Sequence, residues 1–212
     1  MMSDLGKGTK MLIKENCLRH LKHFSILIMV FIAVFAPVYG NNIESSESFI
    51  QTFSNQIISI VDNNSTVDEK QDQLLNLFKK NSSTLTISRA ALGVKWRTLT
   101  KNNKEEFSKA FTHYLVRKYG KQFEEFSNAK LIVERSIDAG KRGVLVHTRL
   151  IMPATAPISV KWQVWQKNET IKIIDIIIED ISMLTMEREE IKNRLKVHNN
   201  NILALINDLK QS

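Results

Sequence analysis

The sequence predicts an α+β domain, a curved four-stranded antiparallel meander sheet packed against several helices. Apolar residues recur at helical spacing from Phe49 to Phe126, then switch to period two between Lys130 and Glu179. The alternating runs are joined by links too short for a parallel crossover. A third observation sets the start of the domain. The first 40 residues have the composition of an export signal rather than of a folded chain.

In that leader a basic stretch (Lys10, Lys14, Arg19, Lys22) runs into "FSILIMVFIAVFA", residues 24–36, which carries no charge. Pro37 and the small Gly40 follow. Thirteen apolar residues fall short of the roughly 20 that a spanning helix needs. The expectation is therefore a cleaved signal peptide over 1–40, a domain over 41–212, and export. The basic region is long for a signal, which makes Met11 an alternative start to Met1. The leader holds the only cysteine, Cys17, so the remaining chain has no disulfide and no thiolate chemistry. It also holds five of the 30 Lys and Arg and two of the 22 acidic residues, leaving the domain at net +5. For an exported chain that balance favours an anionic membrane surface over nucleic acid, and charge alone fits a merely soluble basic surface at least as well.

Residues 41–47 are polar and read as a loose entry. Phe49, Phe53, Ile57, Ile60 and Val61 then mark a first helix. "TVDE", 66–69, is a capping-box pattern opening a second helix with Leu74, Leu75, Leu77 and Phe78 turned inward. "ISRAAL" ends at Gly93, a residue free to take the left-handed closing conformation. Thr100 opens the longest helix, with Phe107, Ala110, Phe111, Tyr114 and Leu115 on one stripe and Phe123 and Phe126 beyond Gly120.

Strands follow at 130–136, 143–152, 158–166 and 170–179. The third alternates Ile158, Val160, Trp162 and Val164 against Ser159, Lys161 and Gln163, so one face is dry. The fourth is apolar on both faces apart from Lys172 and Asp175, and should be the most covered. Two helices close the chain, one carrying Ile191 and Leu195, the last Ile202, Leu203, Leu205, Ile206 and Leu209.

Catalytic signatures are missing. His113, His147 and His198 are not spaced as metal ligands, and no GxSxG, HExxH or phosphate-cradling glycine loop occurs. No metal, cofactor or catalytic residue is expected. An acid–base pair of Asp175 with His147 is the one enzymatic reading, for an exported enzyme acting on a hydrophobic small molecule. The plainer one has Asp175 paired with Arg149 or capping the next turn, and His147 facing solvent. The aromatic and leucine stripes could fill a solid core, as in an adaptor domain without ligand, or enclose a hollow. Periodicity does not separate these.

Phe49 to Leu209 resembles the MlaC family, the toluene-tolerance auxiliary proteins, which are periplasmic phospholipid carriers of Gram-negative bacteria. "ALGVKW" (91–96) resembles the family's LG-x-x-W/Y segment, and "EEFSKAFTHYLVRKYGKQF" (105–123) its F-x-x-x-F-x-x-Y-L-x-x-x-Y-G/A helix. "ISVKWQVW" with "IIDIIIEDISM" looks like its V-x-W/F strand and D-x-x-x-E-G-x-S-M/L segment. Asp180 and Asn200–Asn201 stand where the family has glycine, in turns that Asn and Asp also tolerate. The resemblance implies a lipid cavity between sheet and helices, with bound phospholipid as cargo. The expected lining is Phe111, Tyr114, Leu115, Tyr119, Leu150, Met152, Val160, Trp162, Val164 and Met183. Asp175, Arg149 and Gly93 are expected to be structural. It further implies a monomer that exchanges lipid with two partners and maintains outer-membrane lipid asymmetry. One partner is an inner-membrane ABC transporter complex bearing MCE domains, the other an outer-membrane lipoprotein–porin complex.

Overall fold

The computed structural model describes residues 40–120, 125–153, 155–167 and 170–212. The expected signal segment apart from Gly40, the alternative start at Met11, and Phe123 lie outside the described residues. The folded unit is Gly40–Ser212.

Helix α1 spans Gly40–Asp62 and buries Ile50, Phe53, Ile57 and Val61, one residue per turn on a single stripe. The polar residues before Phe49 are helical rather than loose, since they have a use for their side chains. Ser46 is fully buried, and its hydroxyl donates to the Asn42 carbonyl at 2.6 Å. Helix α2 (Val67–Asn81) begins in a complete capping box: Thr66 Oγ1 accepts from the Glu69 amide, and Glu69 Oε2 from the Thr66 amide at 2.8 Å. Helix α3 (Thr84–Leu92) stops at Gly93, whose φ of +61° sends the chain into a 3₁₀ turn over Gly93–Thr98. Helix α4 runs Lys101–Gly120.

The strands are β1 (Lys130–Asp138), β2 (Val144–Ile151), β3 (Ile158–Lys167), β4 (Thr170–Ile178) and β5 (Ile181–Ser182). They pair in chain order as an antiparallel meander, so the sheet has five strands where the sequence suggested four. The extra strand comes after a two-residue turn in which Glu179 (φ 46°) and Asp180 (φ 66°) are both left-handed, the backbone a tight hairpin requires. Register shifts between Val133 and Arg135 and between Gln163 and Val164 bend the sheet.

Strand β4 is not the most covered strand. β2 buries Val144, Val146, His147, Thr148 and Leu150, whereas β4 buries only Ile173. Along β4's outer side the two-residue β5 pairs as a strand and Ser82 adds an isolated bridge to Ile173, and Ile174, Ile176 and Ile178 border open space.

Helix α5 (Met183–Val197) and helix α6 (Ile202–Gln211) complete the fold. Between them Asn199 and Asn200 are left-handed, and the Asn201 side chain accepts from the amides of Leu203 and Ala204. Two apolar cores result. One joins α1 and α2 to the inner face of the sheet, around Phe53, Val146, Trp162 and Ile173. The other is helical, built by α3 to α6 and the 3₁₀ turn around Phe107, Phe111, Ile191 and Leu205.

Candidate functional site

Between the two cores lies an apolar cavity of about 230 Å³, partly open to solvent. Phe53 and Ile57 of α1, Leu74 and Phe78 of α2, and Phe111 and Leu115 of α4 form its helical side. Leu150, Val160, Trp162, Ile173 and Ile176 form its floor on the sheet. Met183, Leu184 and Glu187 of α5 close one wall. Phe78 packs against both cores, so the hollow is where the two layers fail to meet.

The floor is held rigidly. Trp162 Nε1 donates to Thr148 Oγ1 at 3.0 Å, and Thr148 in turn donates to the Val160 carbonyl at 2.7 Å. The indole is thereby satisfied although buried. Phe53 meets Trp162 edge to face at 5.8 Å. Phe107, Phe111 and Tyr114 stack along α4 at 5.6 and 6.1 Å.

Of the ten residues expected to line a cavity, Phe111, Leu115, Tyr119, Leu150, Val160, Trp162 and Met183 do border it. Three do not. Tyr114 belongs to the helical core, with Lys118 and Arg194 over its ring at 5.4 and 4.9 Å. Val164 is fully buried opposite Val144, and Met152 packs on the sheet's core. The residues that sequence reasoning left out come chiefly from α1, α2 and β4. Their apolar stripes were visible, but nothing local shows that they face a hollow.

Asp175 borders the cavity with both of its carboxylate oxygens already engaged. Its Oδ1 accepts from the amides of Ile176 (2.8 Å) and Leu184 (3.0 Å), and its Oδ2 from Ser182 Oγ (2.6 Å). Arg149 is not its partner; the guanidinium binds Glu134 Oε1 at 2.6 Å across the β1–β2 pair. Register separates the two residues: Arg149 stands opposite Ser159, whereas Asp175 stands opposite Gln163, further along β3, and reaches the start of α5. His147 does not face solvent either. It is 9% exposed between Arg135 and Lys161 on the neighbouring strands, and Nε2 has no hydrogen-bond partner among the described residues. Burial and then the two cations hold its pKa below the usual histidine value, so the ring is neutral at pH 7. Neither residue is arranged as an acid–base pair.

One ionisable cluster touches the hollow. Glu187 is 2% exposed; its Oε1 accepts from Lys118 Nζ at 2.6 Å and from the Tyr119 hydroxyl, while Oε2 is buried without a partner among the described residues. Burial works against the Lys118 ammonium, but the hydrogen bond to Glu187 outweighs it and the pKa rises. Burial and then the Glu187 carboxylate push the Tyr119 phenol up. Glu187 escaped sequence reading inside the charged run "MEREEIKNR". Its spacing of four from Met183 and Ile191 was the available signal, since it places the carboxylate on the helix's inward stripe.

Among the described residues, no group of three His, Cys, Asp or Glu is placed to hold a metal ion, and no helix is long and apolar enough to cross a membrane.

Residues 51–211 match the family described as MlaC protein. No curated protein matches the chain in sequence. Among solved structures it is similar to a phospholipid-binding protein from Ralstonia solanacearum in complex with a phospholipid. The TM-score is 0.68 at 14% identity, covering 77% of this chain and 94% of the other. At that identity the likeness is one of fold.

Proposed function

The chain belongs to the MlaC family, and on that premise we propose that it is a periplasmic phospholipid carrier that holds acyl chains in the apolar cavity. The observation that carries this reading is the wall itself: sheet and helices enclose 230 Å³ bordered almost wholly by hydrocarbon. Burying a methylene from water is worth ~0.8 kcal/mol, so a few turns of acyl chain supply several kcal/mol without any polar recognition. The phospholipid carried by the Ralstonia solanacearum neighbour on the same fold supports it.

In this reading Phe111, Leu115, Tyr119, Leu150, Val160, Trp162 and Met183 contact the chains, together with Phe53, Ile57 and Ile173. A cavity of ~150 Å³ takes one benzene ring, so this one accepts roughly ten carbon atoms as it stands. Two full acyl chains would require the helical layer to move off the sheet. The protein acts by binding and release rather than catalysis. Its donors and acceptors are the transporter complex with MCE domains at the inner membrane and the lipoprotein–porin complex at the outer membrane. Through them it maintains outer-membrane lipid asymmetry.

The test is purification of the exported protein from a Gram-negative host under mild conditions, followed by native mass spectrometry and lipid extraction. Near-stoichiometric phospholipid is expected. A lipid-free protein that also extracts none from phospholipid vesicles would overturn the reading.

A further inference from the structure

We propose that the exposed face around Gly93, outside the cavity, docks on the anionic headgroups of a phospholipid membrane surface. This goes beyond lipid carriage and does not depend on what the cavity holds. Charge is segregated along the chain: Gln73 to Lys104 is a run of 32 residues with no acidic group and seven Lys and Arg. That run exceeds the domain's net +5, so the rest of the domain is net acidic. The fold then gathers its middle part with a cation from α5. Gly93 closes α3 with its amide donating to the Arg89 carbonyl, and Val94, Lys95 and Arg97 follow on the 3₁₀ turn. From α5, which packs on α3, Arg188 brings its guanidinium over Gly93, where an added Cβ would meet Nη2 at 3.7 Å. Lys104 of α4 reaches back over the Trp96 ring at 5.9 Å. Arg89, Lys95, Arg97 and Arg188 enter no ion pair among the described residues. The acids beside this face in the chain already have cations: Glu189 binds Lys192 at 2.9 Å, and Glu105 faces Lys101 at 3.9 Å.

Unpaired cations held in one place gain most from a surface of opposite sign. A protein partner is anchored by apolar side chains clustered at the centre of its interface. Here Val94, 76% exposed, stands singly among the cations, and Leu85, the other exposed aliphatic of α3, lies at that helix's far end. A fluid headgroup layer needs no shaped complement. The cations meet its phosphates, and one aliphatic side chain can enter the interface. The inner sides of α3 and α5 also border the cavity, through Ile87 and Leu184. Docking by this face therefore sets the helical wall of the cavity against the bilayer.

Flotation of the exported protein with vesicles tests this, phosphatidylglycerol mixed with phosphatidylethanolamine against phosphatidylcholine alone. Binding to the anionic vesicles at low ionic strength is expected, weakening as salt is added, with none to phosphatidylcholine. A cation near an anionic surface contributes about fivefold in partitioning, so Lys95→Gln with Arg97→Gln should lose about 25-fold. Arg89→Gln with Arg188→Gln should lose as much, and carries the test if the first variant misfolds. Lys141→Gln with Arg142→Gln, in the turn between β1 and β2, removes the same charge elsewhere and should lose less than about twofold. Equal losses from this turn and from the Gly93 face would reduce the attraction to net charge and overturn the proposal. So would absence of binding to anionic vesicles at low salt, which would leave an acidic protein as the partner of this face. Phospholipid retained through purification reads the cavity separately, so a lipid-free protein that still binds anionic vesicles would defeat carriage and leave the docking surface standing.

Discussion

Asp175 links the end of β4 to the start of α5 through three accepted hydrogen bonds, and Ser182 Oγ, one of its donors, itself accepts from the Thr185 amide at 3.0 Å. Without the carboxylate, two part-buried amides and a hydroxyl lose their acceptor. Asp175→Ala should cost about 2–3 kcal/mol and lower Tm by roughly 5–10 °C in a domain of this size. Asp175→Asn, which keeps one oxygen, should lose about half as much. Differential scanning calorimetry decides, and an unchanged Tm would remove the residue from the structural account. That an aspartate sits among seven isoleucines was legible in the sequence; which donors it serves was not, because Leu184 and Ser182 reach it only through the β4–β5 turn. His147 makes a second prediction. Its folded pKa is depressed below 6.5, first by burial and then by Arg135 and Lys161. The unfolded chain therefore binds the proton first as pH falls. The stability it supports is complete above 6.5 and lost as pH drops toward the folded-state value. His147→Gln should flatten the decline in Tm between pH 7 and 5, and an unaltered slope would assign the loss to other groups.

The β1–β2 hairpin shows how one residue fixes an element. Gly143 has φ +84°, and a Cβ there would lie 2.0 Å from the Val164 carbonyl oxygen and 3.0 Å from Trp165 Cα on the adjacent β3. Neither is a flexible side chain that could swing aside. Gly140, in the same turn, has φ +60° with nothing within 4 Å of its Cβ position. Gly143→Ala should cost about 3 kcal/mol or more, because the clash is with backbone. Gly140→Ala should cost only the left-handed penalty, about 1–2 kcal/mol. Urea melts of the two variants separate them, and equal losses would contradict this placement of β3. At this scale the sequence was informative wherever local chemistry acts. The capping box at Thr66, the stop at Gly93 and the alternation of β3 are set by neighbours in the chain. It was silent on β5 and on the first turns of α1. Two residues pair as a strand only because Glu179 and Asp180 accept left-handed backbone, and Ser46 is helical and buried only because α1 docks on the sheet.

A single domain with two apolar cores leaves a question that side-chain patterns cannot answer: whether the layers close or stand apart. Here they stand apart, and the same residue types serve both as filler and as wall. Tyr114 and Leu115 are adjacent on α4, yet Tyr114 is buried within the helical core while Leu115, packed against that core's edge, borders the hollow. That difference yields a decisive substitution. In a filled core Leu115→Trp would be overpacked and lose about 1–3 kcal/mol. At a cavity wall the added rings enter existing space, so Tm should hold or rise. They also occupy a large part of the room left for acyl carbons, so phospholipid retained through mild purification should fall several-fold. Scanning calorimetry and lipid extraction on the same preparation read both effects. The two must move in opposite senses if this space carries the cargo. A lowered Tm with undiminished lipid would place the lipid elsewhere on the molecule and return Leu115 to the core.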